Sequence, residues 1–221
     1  LGLRRAEGLL AQSLAHAAAR QYQEAPRIYL QALSLDARAH SPNVSFGAPR
    51  DAPDDFFNAM AEFDAPMAAD SGDPYVFIVR ADALHNAEHY EKAILEYTKA
   101  MELNGSSAEA YIGRGIALAA QDSFDAAQQD FLRALELDPK DPQTHVRLAV
   151  LLTVRRDYKN ALAHAAAALK IDPKHAEAYL RAGNIHFFQG NRQRALENYE
   201  LAARADPLSA AAFNGLGLGY F

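Results

Sequence analysis

Pro142–His175 reads PQTHVRLAVLLTVRRDYKNALAHAAAALKIDPKH, and its pattern decides the fold. Apolar residues at Val146, Leu148, Ala149, Leu151 and Leu152, then at Ala161, Ala165, Ala168 and Leu169, recur at helical spacing in two runs. Between the runs, Arg155-Arg156-Asp157-Tyr158 is polar and turn-like. Asp172-Pro173 closes the second run, because the residue before a proline is pushed out of the right-handed helical region. Two helices joined by a tight turn are expected.

The same unit recurs on both sides. Pro139, Pro173 and Pro207 stand 34 residues apart, each after an Asp. Ala93, Ala127, Ala161 and Ala195 keep that interval, as do Ala100, Ala134, Ala168 and Ala202. Self-similarity at this period is the mark of a helix-turn-helix solenoid, in which each unit buries its apolar face on its neighbours. The units are Pro74–Ser107, Ala108–Asp141, Pro142–His175 and Ala176–Ser209, with breaks near Gly105, Pro139, Pro173 and Pro207. In the first unit Asn104-Gly105 replaces Asp-Pro, and Gly105 is expected to supply a left-handed helix cap. Ala210–Phe221 begins a fifth unit, so the natural protein is expected to continue. Phe213, Leu216 and Tyr220 are expected to bury against the second helix of Ala176–Ser209.

These units resemble the tetratricopeptide repeat (TPR) family. The family's large fourth residue is matched by Phe77, Tyr111, His145, Tyr179 and Phe213. Its small eighth residue is matched by Ala81, Gly115, Ala149, Gly183 and Gly217. An aromatic stands at position 24 as Tyr97, Phe131 and Tyr199, but the third unit has Ala165 there. Small residues at 8 and 20 suit the closest approach of the two helices of a repeat. Ala127 is such a residue, at position 20, so Ala127→Leu is expected to cost about 1–3 kcal/mol by overpacking, while Ala at 27 meets the next repeat. The resemblance implies an all-α, right-handed superhelical solenoid of antiparallel helix pairs, acting as a protein–protein interaction scaffold or adaptor in a larger chain or complex.

The N-terminal third is less regular. Residues 1–39 read as a degenerate repeat, with Ala25, Tyr29 and Ala32 in register. Residues 40–73 form a Pro-rich insert: Pro42, Pro49 and Pro53 forbid a regular helix, and Phe56–Phe63 reads as a short one after Asp54-Asp55. It can be an insertion loop, a capping or partner-contacting segment, or the join across a missing stretch.

Composition narrows the function. With 22 basic and 28 acidic residues, net −6, there is no basic surplus for a phosphate backbone, and nucleic acid is not an expected partner. No apolar run reaches 18 residues, so no membrane insertion is expected. The chain has no cysteine, hence no thiolate nucleophile or thiolate metal site. Cytoplasmic placement is the working expectation, with a cilium or another large cytoskeletal assembly compatible. No nucleophile elbow or phosphate loop occurs, and no carboxylate pair stands out for acid–base work. Neither catalysis nor a cofactor is expected. His85 and His89 are four apart but straddle an inter-helix turn, so no metal site is expected. Gly215-Leu216-Gly217-Leu218-Gly219 lies inside a first helix, where packing at Gly217 explains it better than a cofactor cradle.

The resemblance implies that first helices line a concave groove. Ile78, Val79 and Gly113 fall at such positions, as do the candidate partner-binding residues Ile112, Ile116, Val146, Arg147, Val150, Leu180, Arg181, Asn184 and Phe187. Contiguous exposed apolar surface marks binding sites. Arg147 and Arg181 share one position in consecutive units, and two guanidinium forks suit a carboxylate. The groove can instead be filled by residues 40–73, or simply solvated. The relatives that clamp chaperone C-termini use Lys and Asn where this chain has Ile78, Asp82, Gly113 and Gln143; only Arg147 matches. That clamp is not expected. A partner helix or extended segment is, with two alternatives: an assembly component docking by its outer face, or the regulatory arm of an enzyme such as a glycosyltransferase.

Overall fold

The computed structural model describes residues 74–220, which hold nine α-helices and no strand. They are α1 (Pro74–Asn86), α2 (Tyr90–Leu103), α3 (Ala108–Ala120), α4 (Phe124–Leu137), α5 (Pro142–Val154), α6 (Tyr158–Ile171), α7 (Ala176–Phe188), α8 (Arg192–Ala205) and α9 (Ala210–Tyr220). The expected breaks at Gly105, Pro139, Pro173 and Pro207 all fall between helices. The readings of residues 1–39 and 40–73 lie outside the described residues. The chain divides between Ser123 and Phe124 into two compact units. The described part of the first holds α1–α3, and that of the second holds α4–α9.

Short polar segments stop and restart the chain. Asp138, Asp172 and Asp206 each accept from the backbone N–H two residues on, at 2.9–3.1 Å, which folds the Asp-Pro turn. Asn104 does the same for Ser106 at 3.0 Å. The left-handed cap expected of Gly105 is therefore absent: the Asn104 side chain makes the turn, and Gly105 has no positive φ. The next helix is then capped. Ser107, Asp141, His175 and Ser209 accept from N–H groups of the following first turn.

Between the two helices of a repeat, left-handed residues recur at the 34-residue interval: Glu88, Asp122, Arg156 and Gly190, with φ of 58–75°. Only the last is glycine, so the other three carry a backbone cost of about 1–2 kcal/mol. A three-residue reversal between the two helices requires it.

The second unit shows the packing logic. Val146 packs with Ala168 and Ala178, Ala149 with Ala165 and Ala182, and Leu152 with Ala161 and Ile185. Numbers rise along α5 while they fall along α6, so this pair is antiparallel. They rise together along α5 and α7, so consecutive first helices run parallel. Alanine at the centre of each layer lets three helices close up at short interaxial distance.

Large side chains fill the gaps where glycine makes room. A Cβ on Gly183 would lie 2.6 Å from the Tyr199 ring, and one on Gly215 also 2.6 Å. In the first unit a Cβ on Gly113 would lie 2.3 Å from Tyr97. In α9, Gly215 and Gly219 face α8, while Gly217 is exposed with nothing within 4 Å of its missing Cβ. This corrects the expectation that Gly217 is the packing glycine. Phe213 also departs from expectation: it is 53% exposed, because Ala212 and the two inward glycines form the contact.

Candidate functional site

The first unit presents Ile112 and Ile116, both half-buried on α3. Ile78 and Val79 line no surface, being 3% and 0% exposed. The polar centre of this unit is Asp82, which accepts from the Tyr97 hydroxyl across α1 and α2. Burial pushes its carboxyl up to about 6; the Tyr97 hydrogen bond opposes this, and the Glu109 charge adds to it. Burial and the same carboxylate drive the Tyr97 phenol far above its ordinary value. Behind them Arg80 donates to Glu96, with Lys99 3.0 Å away on the other carboxylate oxygen. His85 sits in α1 against the Tyr90 ring, 5.3 Å between centroids, whereas His89 precedes α2. The two share no helix face.

The second unit holds the remaining seven candidates. Val150 on α5, and Leu180, Asn184 and Phe187 on α7, are half-buried. Val146 is not part of that surface. It is 1% exposed and packs on Ala168 and Ala178, since its position points at the neighbouring first helix. Asn184 is engaged from below by the Tyr199 hydroxyl at 2.9 Å.

Arg147 and Arg181 are the charged residues of this face, and they differ. Arg181 donates to Glu177 at 2.8 Å, one turn back on α7. Gln143 of α5 donates to the other Glu177 oxygen at 3.0 Å, tying the two first helices together. Burial raises the Glu177 carboxyl, but hydrogen bonds from Arg181 and Gln143, and the Arg181 charge, hold it below the usual range. Burial pulls the Arg147 guanidinium down from its ordinary value, against the opposing charges of Glu177 and Asp141. The Nε atoms of both arginines are buried without a hydrogen-bond partner. Both Nε atoms are closed to solvent, so an incoming acceptor would meet the outer guanidinium nitrogens instead.

Sequence reading missed Glu177, and named Gln143 only as a departure from the chaperone clamp. They stand 34 apart, and the repeat ladder alone could have paired them as it paired the arginines. Among the described residues, no helix is long and apolar enough to cross a membrane.

Family models for the tetratricopeptide repeat match residues 75–107, 108–141 and 180–221. No curated protein matches the chain at a significant level. Among solved structures, YrrB, a TPR protein with an unusual peptide-binding site, is 19% identical with a TM-score of 0.58, over 93% of this chain and 89% of that one. MamA is 21% identical with a TM-score of 0.62, over 70% and 91%. A fragment of MamA from Desulfovibrio magneticus RS-1, from residue 41 to its end, is 16% identical with a TM-score of 0.61, over 73% and 89%. At these identities the likeness concerns the fold.

Proposed function

Since residues 75–221 belong to the tetratricopeptide repeat family, we propose that the chain is a non-catalytic protein-interaction module whose second unit seats a partner segment on the α5–α7 face. The observation that carries this reading is the half-buried Arg147/Arg181 pair, set beside the half-buried Val150, Leu180 and Phe187. An extended or helical peptide with an acidic side chain or terminal carboxylate supplies the acceptor, and its apolar residues cover the rest. The peptide-binding site named for YrrB supports the use of such a fold for a peptide. Arg181 is already neutralised by Glu177, so Arg147 carries the larger share.

The test is a peptide-display selection on the whole chain, followed by affinity measurement for the selected sequence. Charge-assisted hydrogen bonds contribute about 1.5–3 kcal/mol each. Replacing Arg147 and Arg181 together by alanine is expected to weaken binding at least about tenfold, and Arg147→Ala more than Arg181→Ala. Replacing Arg155 and Arg156, in the inter-helix turn, is expected to change it little. Equal loss from both pairs means that net charge alone matters. No loss from either moves the interface to the outer face and favours an assembly scaffold.

A further inference from the structure

The third repeat departs from its neighbours inside the α5–α6 pair. Ala165 stands where they carry Tyr97, Phe131 and Tyr199, and next to it in sequence an imidazole reaches across to another. His145 of α5 and His164 of α6 lie end to end, Nδ1 to Nδ1 at 3.0 Å, with ring centroids 5.3 Å apart. Both are half-buried. The residues equivalent to His164 are Glu96, Asp130 and Asn198, so no other described repeat has an imidazole pair there. Such a bond needs a proton on one Nδ1 and a lone pair on the other. In the neutral pair one ring donates its Nδ1–H. A first added proton goes to Nε2 of that donor ring, and the bond survives, now charge-assisted. A second must take the Nδ1 lone pair of the acceptor ring, whose Nε2 already carries hydrogen. The bond is then lost, and two like charges face each other.

The surroundings do not offset those charges. Burial pushes both rings down from the ordinary histidine value. The Asp141 carboxylate opposes this at His145, whereas the His145 charge adds to it at His164. The other acids around the pair are already engaged. Asp125 of α4 is held by Arg155 at 2.6 Å, and Asp157 accepts from Asn160 at the start of α6. Glu177 of α7 is held by Arg181 and Gln143. Asp125, Arg155 and Asp157 share with His164 a cleft of about 570 Å³, which opens that ring to solvent. We propose that His145 and His164 form an acid-sensitive latch between α5 and α6, closed while they share a hydrogen bond and released when both rings are protonated. Unfolded, each ring titrates near about 6.5; folded, both titrate lower. The unfolded chain therefore binds more protons as pH falls through that value. The stabilisation from the latch is full above it and is lost as pH falls from there. Helix α5 also carries Arg147 and Val150, so release reaches the face proposed to seat a partner. That consequence rests on the proposed function, whereas the latch itself does not.

The test is urea unfolding of the whole chain at about pH 7.5 and about pH 5, with histidine ring ¹⁵N shifts followed across that range. His145→Phe keeps the aromatic type found at Phe77 and Phe213, and His164→Gln keeps a hydrogen-bonding side chain. Asp82 acts in the opposite sense on acidification, so the readout is the difference between wild type and each variant. Between the two pH values the folding equilibrium constant of the wild type is expected to fall at least about fivefold further than that of either variant. The ring shifts are expected to show one protonated and one bare Nδ1 in the pair at neutral pH, and two protonated Nδ1 only in acid. If one variant fails to fold, the other decides. Equal acid loss in the wild type and the folded variant overturns the proposal, as do two rings that titrate independently near about 6.5.

Discussion

Tyr199→Ala is expected to lower stability by about 3–5 kcal/mol, the range for removing a buried aromatic side chain. Tyr199 is 1% exposed and stands between Gly183 of α7 and Gly215 of α9, each of which lacks a Cβ where the ring lies. Neither backbone can easily collapse into the space left, so the cavity term adds to the lost transfer energy. Tyr199→Phe keeps the ring and loses only the 2.9 Å bond to Asn184, which costs about 1 kcal/mol. Gly183→Ala errs in the opposite direction, with its methyl driven against the Tyr199 ring and the Ala195 carbonyl. It is expected to cost about 1–3 kcal/mol. Urea unfolding of the three variants gives the order. A Tyr199→Ala cost below that of Tyr199→Phe contradicts the wedge.

Asp82→Asn is expected to stabilise the protein at neutral pH. The carboxyl is held at about 6 against 3.8 in the unfolded chain. Between those values the folded state binds more protons than the unfolded one, so stability falls as pH rises through the interval. Two pH units correspond to about 3 kcal/mol, an upper figure for a carboxyl that keeps some contact with solvent. Asparagine retains an acceptor for the Tyr97 hydroxyl, and the fourth repeat already uses that pairing, Tyr199 to Asn184. The gain is expected to be about 1–3 kcal/mol above pH 6 and to vanish below pH 4, read from unfolding curves across that range. A gain that persists at pH 3.5 rules out ionisation as its origin.

These two sites mark where the sequence could be read and where it could not. Every helix break was legible, because Asp-Pro and the alanine ladder act locally and repeat. Tyr97 and Tyr199 were legible as large residues at position 24. Their glycine counterparts Gly113, Gly183 and Gly215 were only partly so, since each contact joins two helices and depends on interaxial distance. Gly105 misled because Asn104 reaches its backbone partner first. Gly217 and Phe213 misled because α9 turns Ala212, Gly215 and Gly219 inward instead.

Much of the candidate site was present in the ladder. Arg147 and Arg181, Val150, Leu180, Asn184 and Phe187 were placed by register alone. Val146 was misplaced, as its position points along the row of first helices and meets Ala178. The inequality of the arginines was invisible, because it arises from Glu177 lying one turn before Arg181 and from no equivalent acid before Arg147, where Gln143 stands. The His145–His164 contact required the antiparallel register of α5 and α6, which sequence spacing does not supply.

The α5–α7 face of the second unit is proposed to hold the partner. It is tested most directly by methyl NMR of the whole chain titrated with the selected peptide. Val150 and Leu180 methyls are expected to shift with the peptide, with the Arg147 Nε–H moving in step, while Leu132 on α4 and Leu201 on α8 stay still. Shifts at Leu132 and Leu201 with Val150, Leu180 and Arg147 unmoved contradict it, and place the interface on the second helices.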